Sequence, residues 1–177
     1  MFKGIKDKFK HKSGVKFLKE ELKKPYDALQ RKKGITSVAC LVDLDAFENA
    51  NLFYEFVEDY GLRPNAVKII GYKKLYDNNS PYSTPVFSDK DLGWNGAIEN
   101  SYVLEFLSRE YDMLVNYYTE ENLLLQLMSV KTRARVRVGF KEIDSKYNDL
   151  ILDIPMKNFK VFKQELKKYL RVFNEIK

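Results

Sequence analysis

Two carboxylates, Asp43 and Asp45, follow the apolar run 38–42 with one residue between them. Carboxylate oxygens bind hard divalent cations such as Mg²⁺, so this pair could support metal-assisted hydrolysis or group transfer. The alternative is structural: Asp45 caps a helix, Glu48 completes a capping box three residues later, and Asp43 ends a strand. The spacing alone is compatible with both interpretations, and the structural one is favoured.

Other catalytic chemistry finds little support in the residue types. The sole histidine, His11, lies in a basic segment, which argues against a histidine triad or a histidine metal site. The sole cysteine, Cys40, sits inside the apolar run, as expected for packing in a reducing, cytoplasmic compartment. The turn after Asp43 has no glycine, and Glu120 and Glu121 begin a later helix, so a phosphate site is disfavoured. No cofactor is predicted.

The Asp-x-Asp pattern resembles the metal-binding carboxylates of haloacid-dehalogenase-like phosphatases and of lesion-bypass polymerases. Ala46 and Phe47 stand where the phosphatase pattern has Thr or Gly. No second carboxylate motif of either family is evident in the sequence. A small metal-dependent hydrolase or transferase that uses Asp43 and Asp45 is therefore the alternative function. A non-enzymatic function is favoured over it.

The positive charge is concentrated at the N-terminus. Residues 1–33 carry twelve Lys or Arg against four Asp or Glu, a net charge of +8, whereas the whole chain is +6 and the remainder is therefore −2. Two helical pieces are predicted, separated at Ser13-Gly14 and ended at Pro25, with Phe2, Ile5 and Phe9 as an apolar stripe. The lysines expected to meet an anionic partner are Lys3, Lys6, Lys8, Lys10 and Lys12.

Three interpretations of this basic helical arm remain open. It could neutralise phosphates of nucleic acid or of a ribosome. Less expected is a position on an anionic membrane surface. It could also simply pack its apolar stripe on its own domain. The sequence has no run of about 18 apolar residues, so no transmembrane segment is predicted, and no cleavable leader is evident.

A long polar loop contains the most distinctive residues of the chain. Its segment 87–96 holds the only tryptophan and two glycines. The loop spans residues 73–97, and loops of this length are often functional, so a binding loop or lid is one interpretation. The other is an ordered loop in which Trp94 covers the edge of the sheet. The residues that could contact a ligand are Ser88, Asp89, Lys90, Asp91, Trp94 and Asn95.

Alternating strands and helices from residue 34 onward are expected to position these side chains. The predicted strands are 36–43, 67–72, 113–117, 135–140 and 150–154. Buried strands separated by helices favour a mostly parallel sheet of about five strands in a three-layer Rossmann-like α/β sandwich. The short link 141–149 predicts an antiparallel edge hairpin between the last two strands. The domain organisation is thus a basic arm, 1–33, and an α/β domain, 34–177.

In such sheets, ligands bind beyond the carboxyl ends of the strands, where strand order reverses. Eight residues are expected to line that crevice: Asp43, Asp45, Tyr72, Lys73, Asn116, Thr119, Gly139 and Phe140. The rule applies to all folds of this type, so it predicts a location and leaves the ligand open.

Four segments, 65–71, 87–96, 106–112 and 134–140, resemble an uncharacterised family of small Bacteroidota proteins, a domain of unknown function. The likeness covers nearly the whole chain and implies no established activity. Residues 111–140 alone are similar to the N-terminal Rossmann half of heptosyltransferase-type glycosyltransferases, which implies the fold. The expected function is a non-enzymatic binding module that acts through the arm and the 87–96 loop, of unknown oligomeric state.

Overall fold

Six strands form one sheet in the computed structural model, which describes residues 2–25, 27, 29–77 and 79–177, with only the backbone at residue 2. In chain order they are β1 (Val38–Asp43), β2 (Val67–Tyr72), β3 (Val86–Phe87), β4 (Glu110–Tyr117), β5 (Arg133–Phe140) and β6 (Leu150–Leu152). The order across the sheet is β3-β2-β1-β4-β5-β6, and all of its strand pairs are parallel. This is the doubly wound order of Rossmann-like sandwiches, and it confirms the predicted fold class.

Helices cover both faces of the sheet. Within the described residues they are α1 (Phe2–Glu21), α2 (Phe56–Asp59), α3 (Ser101–Leu107), α4 (Leu123–Lys131) and α5 (Phe159–Val172). Phe56 of α2 and Phe162 of α5 belong to the apolar cluster on one face. Leu18 of α1, Val103 of α3 and Leu124 of α4 belong to the cluster on the other face. The three layers of the sandwich are therefore α2 and α5, the sheet, and α1 with α3 and α4.

Strand β1 lies in the middle of this sandwich. Its first five residues are wholly buried, and successive side chains point to opposite faces. Cys40 packs in the cluster that contains α5, whereas Leu41 packs in the cluster that contains α4. Burial raises the pKa of the Cys40 thiol well above its ordinary value, so the side chain stays protonated and packs as an apolar group.

The predicted antiparallel hairpin is wrong, because β5 and β6 are parallel, with Val138 opposite Leu150 and Phe140 opposite Leu152. Strand β6 pairs only with the last three residues of β5, so the chain needs to travel back only about 10 Å. The link 141–149 covers that distance with a 3-10 turn, Ser145–Tyr147, in place of a full crossover helix. The sheet also contains a sixth strand, β3, which was not predicted because it is only two residues long and lies within the polar loop.

Helix starts differ from the predicted capping residues. Asp45 was expected to cap a helix, but a 3-10 turn begins only at Ala50, and the Asp45 carboxylate accepts a hydrogen bond from the Lys74 N–H instead. Glu120 and Glu121 were expected to begin a helix, but α4 begins at Leu123 with Asn122 as its N-cap, which accepts from the N–H groups of the second and third helical residues. Asparagine is as good an N-cap as serine or aspartate, so composition alone could not choose between neighbouring caps.

The predicted break at Ser13-Gly14 is also wrong, because α1 is continuous. Glycine in a helix interior costs about 1 kcal/mol relative to alanine, so a packing contact must offset it. A Cβ at Gly14 would lie 3.3 Å from the Leu123 side chain and 3.8 Å from the Gly96 Cα. Gly14 is therefore a point of close approach between α1 and the domain. Among the described residues, no helix is long and apolar enough to cross a membrane.

Candidate functional site: the basic arm, its docking loop and the sheet end

Four of the eight expected crevice residues lie together where β1 and β2 end. Asp43 and Tyr72 are opposite each other in the register of these strands. The Asp43 carboxylate accepts from the Asp45 N–H at 3.1 Å, and the Asp45 carboxylate accepts from the Lys74 N–H at 2.8 Å. Lys73 Nζ lies 3.9 Å from the Asp45 carboxylate. The two carboxylates thus shape the turn after β1 and reach the segment after β2.

This environment shifts the pKa of the Asp43 carboxyl group. Burial raises its pKa above the ordinary value, and the negative charges of Asp45 and Glu120 raise it further, while the N–H groups of Asp45 and Ala46 lower it. Desolvation of the charged form is the largest of these causes. No group of three or more His, Cys, Asp or Glu side chains comes together as a metal site in the part of the chain that the structure describes.

The other four expected crevice residues do not join this group, and most of them are buried in the core. Asn116 is 1% exposed, donates to the Asn148 side chain at 2.8 Å and accepts from the Ser129 hydroxyl at 2.9 Å. A Cβ at Gly139 would lie 2.3 Å from Asn148 Nδ2, so any larger residue at position 139 would clash with that side chain. Phe140 is fully buried. Thr119 is half-buried between β4 and α4.

Asn148 and Ser129 were not singled out by the sequence. Both are buried polar residues, and the Ser129 hydroxyl lies 2.7 Å from that of Tyr118. Buried polar groups require hydrogen-bond partners, so these side chains form a network that fixes the link 141–149 and α4 against β4. An asparagine in a polar link carries no pattern that would have predicted it.

The 87–96 loop is structured from end to end. Ser88 and Asp91 form a capping box around the 3-10 turn Asp89–Asp91. The Asp89 carboxylate accepts from the Tyr72 hydroxyl at 2.7 Å, which ties the loop to the end of β2. Asp91 also accepts from the Asn100 amide at 3.1 Å, which ties the loop to the start of α3. Lys90 is exposed, without an ion pair to the described residues.

The end of this loop supports α1. The Asn95 N–H donates to the Ser13 hydroxyl at 3.0 Å, and Asn95 has a left-handed backbone with a φ of 54°. Gly96 has a φ of +71°, and a Cβ there would lie 2.9 Å from the side chains of both Phe17 and Leu127. Trp94 is 47% exposed. The loop is therefore a docking surface for the arm with an exposed indole beside it.

The two halves of α1 have different surroundings. In the second half, Leu18 is buried and Phe17 packs under Lys131, whose Nζ lies 4.3 Å from the ring centroid. In the first half, Ile5 is 49% and Phe9 55% exposed, while nothing is described for the Phe2 side chain. The arm lysines, Lys3, Lys6, Lys8, Lys10 and Lys12, make no ion pair with any residue that the structure describes. Among the described side chains of α1, Leu18 in the second half therefore packs on the domain, whereas Ile5 and Phe9 of the predicted apolar stripe remain exposed.

A cavity of about 610 Å³ lies between the first half of α1, the loop and the start of α4, and we term it the arm–loop cavity. Its charged lining is Lys3, Asp7, Lys10, Asp89, Lys90 and Glu121, and its remaining lining is His11, Leu92, Asn122, Leu123 and Leu124. This cavity unites two features that were predicted separately, the arm and the loop. His11 and Glu121 lacked a recognisable pattern in the sequence.

Comparison with known proteins identifies the family. No curated protein shows significant similarity to the chain. The model of a family described as "Family of unknown function (DUF6913)" matches residues 10–173, which span nearly the entire sandwich from the middle of α1 to the end of α5. The chain, with its doubly wound sheet and docked N-terminal helix, therefore belongs to this family of unknown function, DUF6913.

Proposed function

We propose that the protein is a non-enzymatic binding module that holds single-stranded nucleic acid, as a free strand or in a ribosome, on α1 and the adjoining Trp94 loop. Proteins that bind single strands without sequence preference combine a basic surface that follows the phosphates with aromatic side chains that stack on bases. The observation that carries the proposal is an exposed tryptophan next to a lysine-rich helix, joined to it by the Asn95–Ser13 hydrogen bond.

The charge of the helix supports a phosphate partner. Five lysines and one aspartate occupy residues 2–12. Lys6, Lys8 and Lys12 are exposed and make no ion pair with the described residues, so their charges are available to an anion. Each lysine that neutralises a phosphate releases condensed counterions, and binding therefore weakens as salt rises. A cytoplasmic location, suggested by the single buried Cys40, fits this partner.

Aromatic exposure supports a single strand over a duplex. Trp94 and Phe9 are 47% and 55% exposed. Exposed aromatic rings of this kind are the groups on which unpaired bases stack. An interfacial membrane helix instead needs a broad apolar face, whereas the described exposed apolar side chains in the first half of α1 are Ile5 and Phe9. Membrane binding is thus the alternative that the experiment must distinguish.

The test is a fluorescence anisotropy titration of a labelled, mixed-sequence single-stranded RNA with full-length protein at low salt. Replacing Lys6, Lys8 and Lys12 together by Gln is expected to weaken binding by about tenfold or more, because three phosphate contacts are lost. The matched control replaces Lys157 and Lys160, which are exposed at the start of α5 on the opposite face of the sheet. Unchanged affinity in the arm variant, or retention only on anionic phospholipid vesicles, contradicts the proposal.

A further inference from the structure

We propose that the arm–loop cavity binds a small zwitterion with an apolar side chain, such as an apolar α-amino acid. This inference is independent of nucleic-acid binding, since Lys6, Lys8 and Lys12 do not line the cavity. The cavity volume, about 610 Å³, lies within the range of roughly 300–1,000 Å³ found for small-molecule sites. It lies beyond the carboxyl end of β2, on the side of the sheet where doubly wound folds bind ligands.

Charges of both signs face this cavity without pairing with each other. The basic groups are Lys3, Lys10 and Lys90, and the acidic groups are Asp7, Asp89 and Glu121. None of the six forms an ion pair with another residue in the described part of the chain. The net charge of the six is zero, so the lining selects neither a simple anion nor a simple cation. A ligand that carries one charge of each sign can pair with both groups at once.

The acidic side of the cavity is held in place by the domain. Asp89 accepts from the Tyr72 hydroxyl at 2.7 Å. Tyr72 is itself buried, with 3% of its surface exposed. Glu121 directly precedes Asn122, which is fixed as the N-cap of α4. Asp89 and Glu121 therefore stand on a rigid base, suited to receive the ammonium group of a ligand.

Two lysines of α1, Lys3 and Lys10, provide the opposing basic side, and Lys90 adds a third amine from the loop. A carboxylate bound there forms charge-assisted hydrogen bonds, which are about twice as strong as neutral ones. Leu92, Leu123 and Leu124 supply the apolar part of the lining, and Leu92 and Leu124 are buried. An ammonium group, a carboxylate and an aliphatic side chain thus each have a matching part of the lining.

The test is isothermal titration calorimetry of the full-length protein with L-leucine and two compounds that each lack one charge. Isocaproate keeps the carboxylate and side chain without the ammonium group, and isoamylamine keeps the ammonium group and side chain without the carboxylate. L-leucine is expected to bind at least about tenfold more tightly than either compound, because isocaproate leaves the acidic groups of the cavity unpaired and isoamylamine leaves the basic groups unpaired. Equal binding of isocaproate or isoamylamine overturns the proposal, as does the absence of leucine binding.

Variants locate the site. Lys90→Gln and Glu121→Gln are both expected to weaken leucine binding by about tenfold, because each removes one charged partner from an exposed position. The matched controls, Lys160→Gln and Glu142→Gln, change the same charges at exposed positions outside the cavity and should leave leucine affinity unchanged. Leucine binding that survives both cavity variants overturns the assignment. RNA binding is measured separately with the arm variant, so the failure of one proposal is distinguishable from the failure of the other.

Discussion

The backbone N–H of Asn95 donates a hydrogen bond to the hydroxyl of Ser13, 3.0 Å away, and so joins the Trp94 loop to the basic helix across 82 residues of chain. The same hydroxyl donates to the Lys10 carbonyl at 2.8 Å. Beside this contact, Gly14 and Gly96 allow the helix to approach the loop closely. The helix that carries the arm lysines is therefore docked on the sandwich.

Gly14→Leu is expected to detach α1, because a large side chain at Gly14 would collide with Leu123 and Gly96. Overpacking of this kind costs about 1–3 kcal/mol in the free energy of unfolding. The matched control is Gly4→Leu in the same helix, where a Cβ meets nothing within 4 Å and the better helix former should be neutral or slightly stabilising. Urea denaturation measures both variants, and an equal response at the two positions would refute the docking contact.

Asp43→Asn is expected to stabilise the protein at neutral pH by on the order of 0.5 kcal/mol. Burial raises the folded-state pKa of Asp43, so the charged form costs stability above that pKa, and this cost disappears as pH falls toward the unfolded value of 3.8. The amide keeps an oxygen to accept from the Asp45 N–H. Thermal unfolding between pH 3.5 and pH 7 checks this, because the gain should shrink as the pH is lowered.

The same experiment addresses the alternative metal-dependent function of Asp43 and Asp45. If the two carboxylates bind Mg²⁺, the unfolding temperature of the native protein should rise with added Mg²⁺, whereas Asp43→Asn should abolish that rise. A native protein that does not respond to Mg²⁺ in its unfolding temperature or in its Trp94 fluorescence would contradict the alternative.

Asp112→Asn is expected to destabilise the protein by about 2 kcal/mol, because the buried Asp112 carboxylate accepts charge-assisted hydrogen bonds from Thr36 and from the partly exposed Arg31. Burial acts to raise the Asp112 pKa, but hydrogen bonds from Thr36 and the charge of Arg31 outweigh it and lower the pKa below its ordinary value. The stabilisation is therefore present above the unfolded value of 3.8 and is lost as pH falls through the folded pKa. The exposed Asp153 provides the control, since Asp153→Asn should barely change the unfolding temperature at any pH.

Gly139→Ala is expected to cost about 2–4 kcal/mol, because the added Cβ would lie 2.3 Å from Asn148 Nδ2 and would expel that side chain from its bond with Asn116. Asn148→Ala removes the obstruction. In the double variant, the alanine at position 139 should therefore cost less than it does alone, with a coupling of at least about 1 kcal/mol. Additive losses in urea denaturation would contradict the proposed role of Gly139.

Much of the fold could be predicted, because β1, β2 and β4 are largely apolar and β5 alternates Arg with Ala and Val. Helical periodicity separates these strands, and that pattern favours a parallel sheet. The hairpin prediction failed because it assumed that a parallel crossover must span a full strand, whereas β6 pairs with only three residues of β5. The break at Gly14 failed for a related reason. From sequence alone, a glycine in a helix indicates a break, whereas Gly14 is accommodated within α1 because it packs against Leu123 and Gly96.

The candidate site was predicted less completely than the fold. The arm and the loop were recognised from charge and from unusual composition, but their contact depends on Ser13, Gly14 and Asn95, which lie up to 82 residues apart. Asn116 and Gly139 follow the rule for strand ends, yet their neighbours Ser129 and Asn148 bind or crowd them within the core. Long-range packing decided which polar residues remain available, and no local pattern reports it.

The salt dependence of RNA affinity tests the central claim most directly. Full-length protein and the Lys6→Gln, Lys8→Gln, Lys12→Gln variant are titrated with the same single-stranded RNA at several salt concentrations. A slope of log affinity against log salt that is shallower by about 2 in the variant is predicted, from about 0.7 per phosphate contact. Equal slopes in the two proteins, or no RNA binding by the native protein at low salt, would contradict the account.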